Sequence, residues 1–273
     1  MGTIRAFSLR RIGIIVVKDW IDVFKNRYIL LIAILLPLLL TSLPLVLLGD
    51  TRLITGGQLG FGNAIPSFLQ NDPTLSHLQP AERFQAALAG QFMLLFLILA
   101  LPLPVAIAAY SIVGEKREHS LEPLLATPLS VTELLIAKGV AAAIPGVVST
   151  WVSFIVYLIV ARFVVLSDAV YSTIFNGTWL LAMLVVVPFL TLLSVSIGLI
   201  VSSRSSDPRA AEQLSTLVIL PILILFFSQL LGASIVNIWT MLIMSALVIS
   251  LDILLLRLAI RLFQRETILT RWK

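Results

Sequence analysis

Cysteine is absent from the 273-residue sequence, and histidine occurs only twice, at His77 and His119. The absence of cysteine excludes disulfides, thiolate metal sites and a cysteine nucleophile. Neither histidine lies within a long apolar stretch, which excludes an intramembrane zinc site of the His-Glu-x-x-His type. The sequence also lacks a G-x-x-x-x-G-K-[ST] phosphate-binding loop and a G-x-S-x-G nucleophile elbow. We therefore predict that the chain is not an enzyme by itself.

Charged residues are scarce, at 12% of the chain against 59% hydrophobic residues, and the mean hydropathy is +1.06. Soluble proteins contain about 25% charged residues. A single soluble globule could not bury this much apolar surface, because a large part would stay exposed to water. The composition predicts an integral membrane protein.

A membrane-spanning helix needs about 20 mainly apolar residues. Six stretches meet this requirement: Tyr28–Leu48, Gln91–Val113, Lys138–Ala161, Thr178–Val201, Leu214–Leu231 and Ile235–Leu256. The predicted fold class is an all-α membrane protein with six transmembrane helices. Only Gly232, Ala233 and Ser234 separate the last two stretches, which predicts a tight outer turn. One long kinked helix is the alternative, and it would place the C-terminus on the opposite side.

The distribution of Lys and Arg predicts the orientation of the chain, since these residues concentrate on the cytoplasmic side of membrane proteins. Of the 19 Lys and Arg residues, all but Arg52, Arg83 and Arg162 lie on the side that carries both termini. We therefore expect both termini to be cytoplasmic. The asymmetry also accounts for the basic pI of about 9.9, so we do not expect nucleic acid as a partner.

The non-spanning segments complete the predicted organisation. Residues 1–27 have apolar positions at mostly helical spacing with charged residues between them, which predicts an amphipathic helix along the inner membrane surface. The transmembrane domain covers residues 28–260, and a cytoplasmic tail covers 261–273. Within the domain we expect an outer loop at 49–90, with a short helix near Pro80–Leu88, and cytoplasmic loops at 114–137 and 202–213.

Prolines and hydroxyl side chains stand out within the predicted spans. Proline removes a backbone hydrogen bond and can kink a helix, and five positions qualify: Pro102, Pro104, Pro145, Pro188 and Pro221. Hydroxyl side chains inside spans more often join helices than bind substrate, and six form two groups: Ser149, Thr150, Ser153, Thr191, Ser194 and Ser196.

The cytoplasmic loop between spans two and three concentrates charge in an otherwise apolar chain. Leu121, Leu124 and Leu125 fall on one face of a short helix that Ser120 can cap. Thr127-Pro128 ends this helix, and the capping-box sequence 130–133 starts the helix of span three. An exposed leucine face needs a partner. The pattern alone leaves open whether that partner is another protein or the chain's own helix ends.

Four short sequences in this loop resemble the signature loop of the permeases of type-2 ABC exporters: Glu115-Lys116, Ser120-Leu121-Glu122, Leu124-Leu125 and Thr127-Pro128. The amphipathic N-terminus, the six spans and the cytoplasmic termini match the same family. The resemblance implies that the loop contains a coupling helix, which docks into a cleft of a separate ATPase subunit. Glu115, Glu118 and Glu122 would face basic groups of the ATPase. Ser120 would belong to the same contact, and Leu121, Leu124 and Leu125 would fill its apolar cleft.

The resemblance also implies the partners and the location. Two ATPase subunits would bind ATP and Mg²⁺, whereas this chain would hold no cofactor. A second copy of the chain, or a related permease, would complete the translocation path in the bacterial or archaeal cytoplasmic membrane. The short turn after span five leaves almost no room for the re-entrant outer segment that members of the family often have. The sequence does not identify the transported substrate.

Two other functional classes compete with this interpretation. A stand-alone secondary carrier or channel would need buried ionisable groups along its path, and Asp252 is the one acid well inside an apolar stretch. An intramembrane hydrolase would need a nucleophile with a base, and the sequence shows no such set.

Overall fold

The structure, a computed structural model, describes residues 9–50, 75, 77–117, 131–205, 207–231 and 237–262. These residues form eleven α-helices, with one π-helical and one 3₁₀ turn, and contain no strand. The α-helices are α1 (Leu9–Lys25), α2 (Arg27–Gly49), α3 (Pro80–Leu99), α4 (Pro102–Arg117), α5 (Val131–Val164), α6 (Asp168–Ile174), α7 (Gly177–Leu181), α8 (Val187–Arg204), α9 (Pro208–Thr216), α10 (Leu220–Leu230) and α11 (Ile238–Leu262). Six stretches are long and apolar enough to cross a membrane, which confirms the predicted fold class.

The N-terminal helix α1 packs against the start of α5. Ile12, Ile15 and Val16 are buried with Leu134, Ala137 and Ala141. The indole of Trp20 donates a hydrogen bond to the carbonyl of Ala141 at 2.9 Å. A second apolar stripe is exposed, and it consists of Ile14, Val17, Ile21 and Phe24. The helix thus has two apolar faces, and one of them packs against α5.

Span two occupies the centre of the bundle. In its most apolar window 89% of the residues are buried, against 17% in span one. Its first helix, α3, begins at Pro80, where Gln79 and Glu82 form a capping box, and it runs without interruption to Leu99. The helix predicted near Pro80–Leu88 is thus present, but it is continuous with span two, whose helix begins before the predicted Gln91.

A break at Ala100–Leu101 separates α3 from α4. Pro102 and Pro104 have no N–H to donate to the carbonyls of residues 98 and 100, so the regular helical bonding fails there. Thr191 Oγ1 of span four shares its hydroxyl hydrogen between the Val187 carbonyl of its own helix, at 2.9 Å, and the Ala100 carbonyl, at 3.3 Å. Ser194 Oγ donates to the Leu101 carbonyl at 2.7 Å, which also accepts from the Val105 N–H at 3.3 Å. Thr191 and Ser194 therefore join spans two and four, as the sequence indicated.

Two glycines let spans three and four approach span two. A Cβ on Gly146 would overlap the ring of Pro104 and lie 3.3 Å from Thr191 Cγ2. A Cβ on Gly198 would lie 2.9 Å from the Cβ of Ala108. Because neither glycine has a Cβ, the backbones can pack closely. Such packing stabilises helices in a bilayer, where the hydrophobic effect contributes little between helices.

Spans five and six run in opposite directions. At the start of span five, Ala211 packs with Ala109 and Val113, and near its end Gln229 bonds the carbonyl of Gly90 at 3.4 Å. Span six begins in the core cluster that contains Trp179 and ends with Ala259 in the cluster that contains Val23 of α1. The alternative of one long kinked helix is therefore wrong, although residues 232–236 of the predicted turn lie outside the described residues.

Candidate coupling site at the basic end of the bundle

The end of the bundle that carries α1, Arg117, Arg204 and Arg209 is called the basic end below. Two helices frame the loop at this end, since α4 runs to Arg117 and α5 starts at Val131. Both helices extend beyond the apolar stretches that the sequence predicted, which ended at Val113 and began at Lys138.

Most of the predicted coupling residues lie outside the described residues: Glu118, Ser120, Leu121, Glu122, Leu124 and Leu125. Glu115 lies in the last turn of α4 by its backbone, and its side chain is outside the description. The roles of these residues stay predictions. What the structure describes is the pair of helices to which this segment is attached and the contacts that join them.

A buried ionic cluster joins α1, α4 and α5. Lys138 Nζ donates to Ser111 Oγ at 2.7 Å and to the Ser111 carbonyl at 3.3 Å. Ser111 Oγ donates in turn to Asp19 Oδ2 at 3.0 Å. Lys138 Nζ lies 3.7 Å from that carboxylate oxygen, and only 1% of the Lys138 side chain and 5% of the Asp19 side chain are exposed. One residue from each helix thus contributes to a single network.

This cluster makes the three helices depend on one another. A buried ion pair contributes little net stability, because desolvation of the two charges offsets their attraction. Removal of one partner, however, leaves the other charged and buried, at a cost of about 3–5 kcal/mol. Moving α5 away from α1 or α4 would have the same consequence. The three helices are therefore expected to move together at this end.

The sequence analysis missed this cluster, although a signal was present. In the sequence, Asp19 is one of the charged residues between the apolar positions of the N-terminal helix, and Lys138 stands at the start of predicted span three. Asp19 in fact shares the helical face of Ile12, Ile15 and Val23, from which it is seven, four and four residues away. An acid on the apolar face of an amphipathic helix indicates a buried basic partner.

A second contact joins the start of span one to span five at the same end. Tyr28 donates its hydroxyl to Glu212 Oε1 at 3.0 Å, and its ring lies 6.2 Å from the ring of Tyr110. Spans one, two and five are thereby connected beside the ionic cluster. Within the described part of the chain no group of three or more His, Asp and Glu side chains could hold a metal ion.

Comparison with known proteins agrees with this architecture. A family model described as "ABC-2 family transporter protein" matches residues 14–265, a stretch that takes in all six spans. No curated protein matches the chain.

Proposed function

Because the chain belongs to the ABC-2 family of transporter proteins, we propose that it is the permease of an ABC exporter and that a separate ATPase subunit drives it. Membership of the family makes it a multi-pass membrane component of an ABC-type transporter. The direction of transport and the coupling to an ATPase are the proposed part.

The buried cluster of Asp19, Ser111 and Lys138 carries the proposal. It lies within the two helices to which residues 118–130 are attached, and it ties both of them to α1. A force applied to that segment by an ATPase would therefore reach spans two and three together. A segment attached to helices that move independently would transmit much less of this force.

The break in span two supplies a place where such a movement can be absorbed. Pro104 leaves the Ala100 carbonyl without its helical donor, and Thr191 and Ser194 of span four bond the Ala100 and Leu101 carbonyls. Side-chain hydrogen bonds can be exchanged without unwinding a helix, so α4 can change its tilt relative to α3. We propose that ATP and Mg²⁺ bound by the ATPase drive this change, which opens the path outward.

The exposed faces of the bundle leave room for a second permease. Spans one and five have only 17% of their most apolar windows buried, and span six has 22%. Lipid covers such faces in a bilayer, and a second copy of the chain or a related permease would cover part of them. Two permeases with two ATPase subunits is the assembly that we propose.

Co-purification tests the coupling. The chain alone should show no ATPase activity, and purification from its native membrane should recover a soluble P-loop protein. Glu122→Lys and Leu124→Asp should each lower the recovered ATPase at least about tenfold, since loss of a central contact costs about 2 kcal/mol or more. Asp207→Lys, which reverses an exposed acid at the same end, should leave recovery unchanged. Intact assembly and ATP-driven transport in both loop variants would refute the proposal.

A stand-alone carrier is the second candidate, and one observation favours it. Both carboxylate oxygens of Asp252 are buried in span six without a hydrogen-bond partner among the described residues. An intramembrane acid of this kind often marks an ion or proton path. Transport in liposomes that is driven by an ion gradient, with no ATPase present, would support this candidate over the first.

A further inference from the structure

A cleft of about 290 Å³ opens at the basic end between α1, α2 and α4. Lys18 and Lys25 line it together with Asp19 and Asp22 of the same helix. Its remaining wall includes apolar side chains, among them Val23 and Ile29 and the ring of Tyr110. The cleft therefore combines two cations, two anions and an apolar wall in a small volume.

The position of the cleft corresponds to the headgroup level of a bilayer. Asn26 alone separates α1 from α2, which is a spanning helix. The apolar stretch of span two ends at Gly114, which lines the same cleft. Two spans thus end beside it, and phospholipid headgroups lie at the ends of spanning helices.

The charges select among possible ligands. A simple anion would meet the carboxylates of Asp19 and Asp22, and a simple cation would meet the ammonium groups of Lys18 and Lys25. A zwitterion can place each of its charges against the opposite one. Asp19 already accepts from Ser111 and lies close to Lys138, so Asp22 is the carboxylate better placed to receive a cationic group.

We propose that this cleft binds the headgroup of an aminophospholipid, namely phosphatidylethanolamine. The primary ammonium donates hydrogen bonds to Asp22, and the phosphate accepts from Lys25. A choline headgroup lacks N–H donors, so it cannot form the bond to Asp22. The volume of the cleft is below the range of about 300–1,000 Å³ for sites that enclose a drug-sized ligand, and it suits a headgroup alone.

Lipid competition tests this proposal on the purified full chain, with its ATPase where the two co-purify. Nanodiscs would contain phosphatidylethanolamine and phosphatidylcholine in equal amounts, and native mass spectrometry would count the bound lipids. The wild type should retain phosphatidylethanolamine about tenfold over phosphatidylcholine, as expected for one hydrogen bond to a charged group. Asp22→Asn should lower this preference, while Asp207→Asn, an exposed acid outside the cleft, should leave it unchanged.

A charge reversal at Asp22 gives a more specific test in the same lipid competition. Asp22→Lys makes the cleft cationic, so the preference should shift from phosphatidylethanolamine to the anionic phosphatidylglycerol. Equal retention of ethanolamine and choline lipids by the wild type would overturn the proposal, as would an unchanged preference in Asp22→Lys. Free phosphoethanolamine carries the same charges without acyl chains. If it displaced the lipid at equal concentration, the cleft would be a site for a soluble zwitterion, and the assignment to a lipid would be wrong.

Discussion

Lys138 illustrates how the position of one residue in the fold changes its role. In the sequence it stands at the edge of an apolar stretch, where a lysine usually reaches water or lipid headgroups. In the structure its ammonium group is enclosed by Ser111 and Asp19. The charge is retained in a buried site because its partners come from two other helices.

Substitution of this lysine should be costly, and the cost should depend on Asp19. Lys138→Met leaves the carboxylate of Asp19 buried without its basic partner, so we expect a loss of about 3–5 kcal/mol in stability. The double variant Asp19→Asn/Lys138→Met removes both charges and should be more stable than Lys138→Met alone. Thermal unfolding in detergent would measure the apparent Tm of each variant. Additive losses in the double variant would show that the two residues do not form an energetic pair.

Span two, like Lys138, depends on partners that other helices supply. Its sequence contains Pro102 and Pro104, which predict an irregularity but do not say how the freed carbonyls are satisfied. In span four, Thr191 donates to the Ala100 carbonyl and Ser194 donates to the Leu101 carbonyl. The stability of the broken helix therefore depends on hydrogen bonds from span four as well as on span two itself.

Thr191→Val tests this joint, with Thr150→Val as a matched control. Both threonines are fully buried. Thr150 bonds the carbonyl of Gly146 within its own helix, where the backbone N–H of residue 150 can also donate. Thr191 Oγ1 likewise lies 2.9 Å from the Val187 carbonyl of its own helix. In addition it reaches the Ala100 carbonyl at 3.3 Å, and that carbonyl has no backbone donor at position 104. Thr191→Val should therefore lower stability by about 1 kcal/mol more than Thr150→Val does. Equal shifts in Tm would contradict a special role for Thr191.

At the scale of the whole molecule, the structure places the start of the described chain and its end at the same end of the bundle, since Val23 and Ala259 share one core cluster. Six spans that alternate in direction require this. The excess of Lys and Arg at this end predicts how the bundle is oriented in the membrane, because these residues are retained on the cytoplasmic side. The basic end is therefore expected to face the cytoplasm.

Cysteine labelling tests this orientation directly, because the chain has no native cysteine and each introduced one is a unique reporter. We choose Thr55→Cys for the outer loop, Ser120→Cys for the loop between spans two and three, and Thr270→Cys for the tail. A membrane-impermeant maleimide should label Thr55→Cys in intact cells. It should label the other two only after permeabilisation. Labelling of Ser120→Cys in intact cells would reverse the orientation and remove the basis for an ATPase partner.

Composition and local patterns were enough to predict the membrane class, the number of spans and the break-prone prolines of span two. These follow from local properties: an apolar stretch of about 20 residues must span a bilayer, and a proline cannot donate a backbone hydrogen bond. The resemblance in residues 115–128 indicated the family, which the match over residues 14–265 shows.

Which helices come into contact with these local features depends on the folded bundle. The cluster of Asp19, Ser111 and Lys138 joins residues that are 92 and 27 positions apart in the chain, and no local pattern specifies such a pairing. The sequence predicted a helix near Pro80–Leu88 but not its continuity with span two, because Glu82, Arg83 and Gln85 interrupt the apolar character of α3. Gln85 is nevertheless fully buried, since its amide bonds the Leu48 carbonyl and the Leu166 N–H. A polar side chain can enter the bundle when distant helices supply its hydrogen-bond partners, and those partners exist only once the chain has folded.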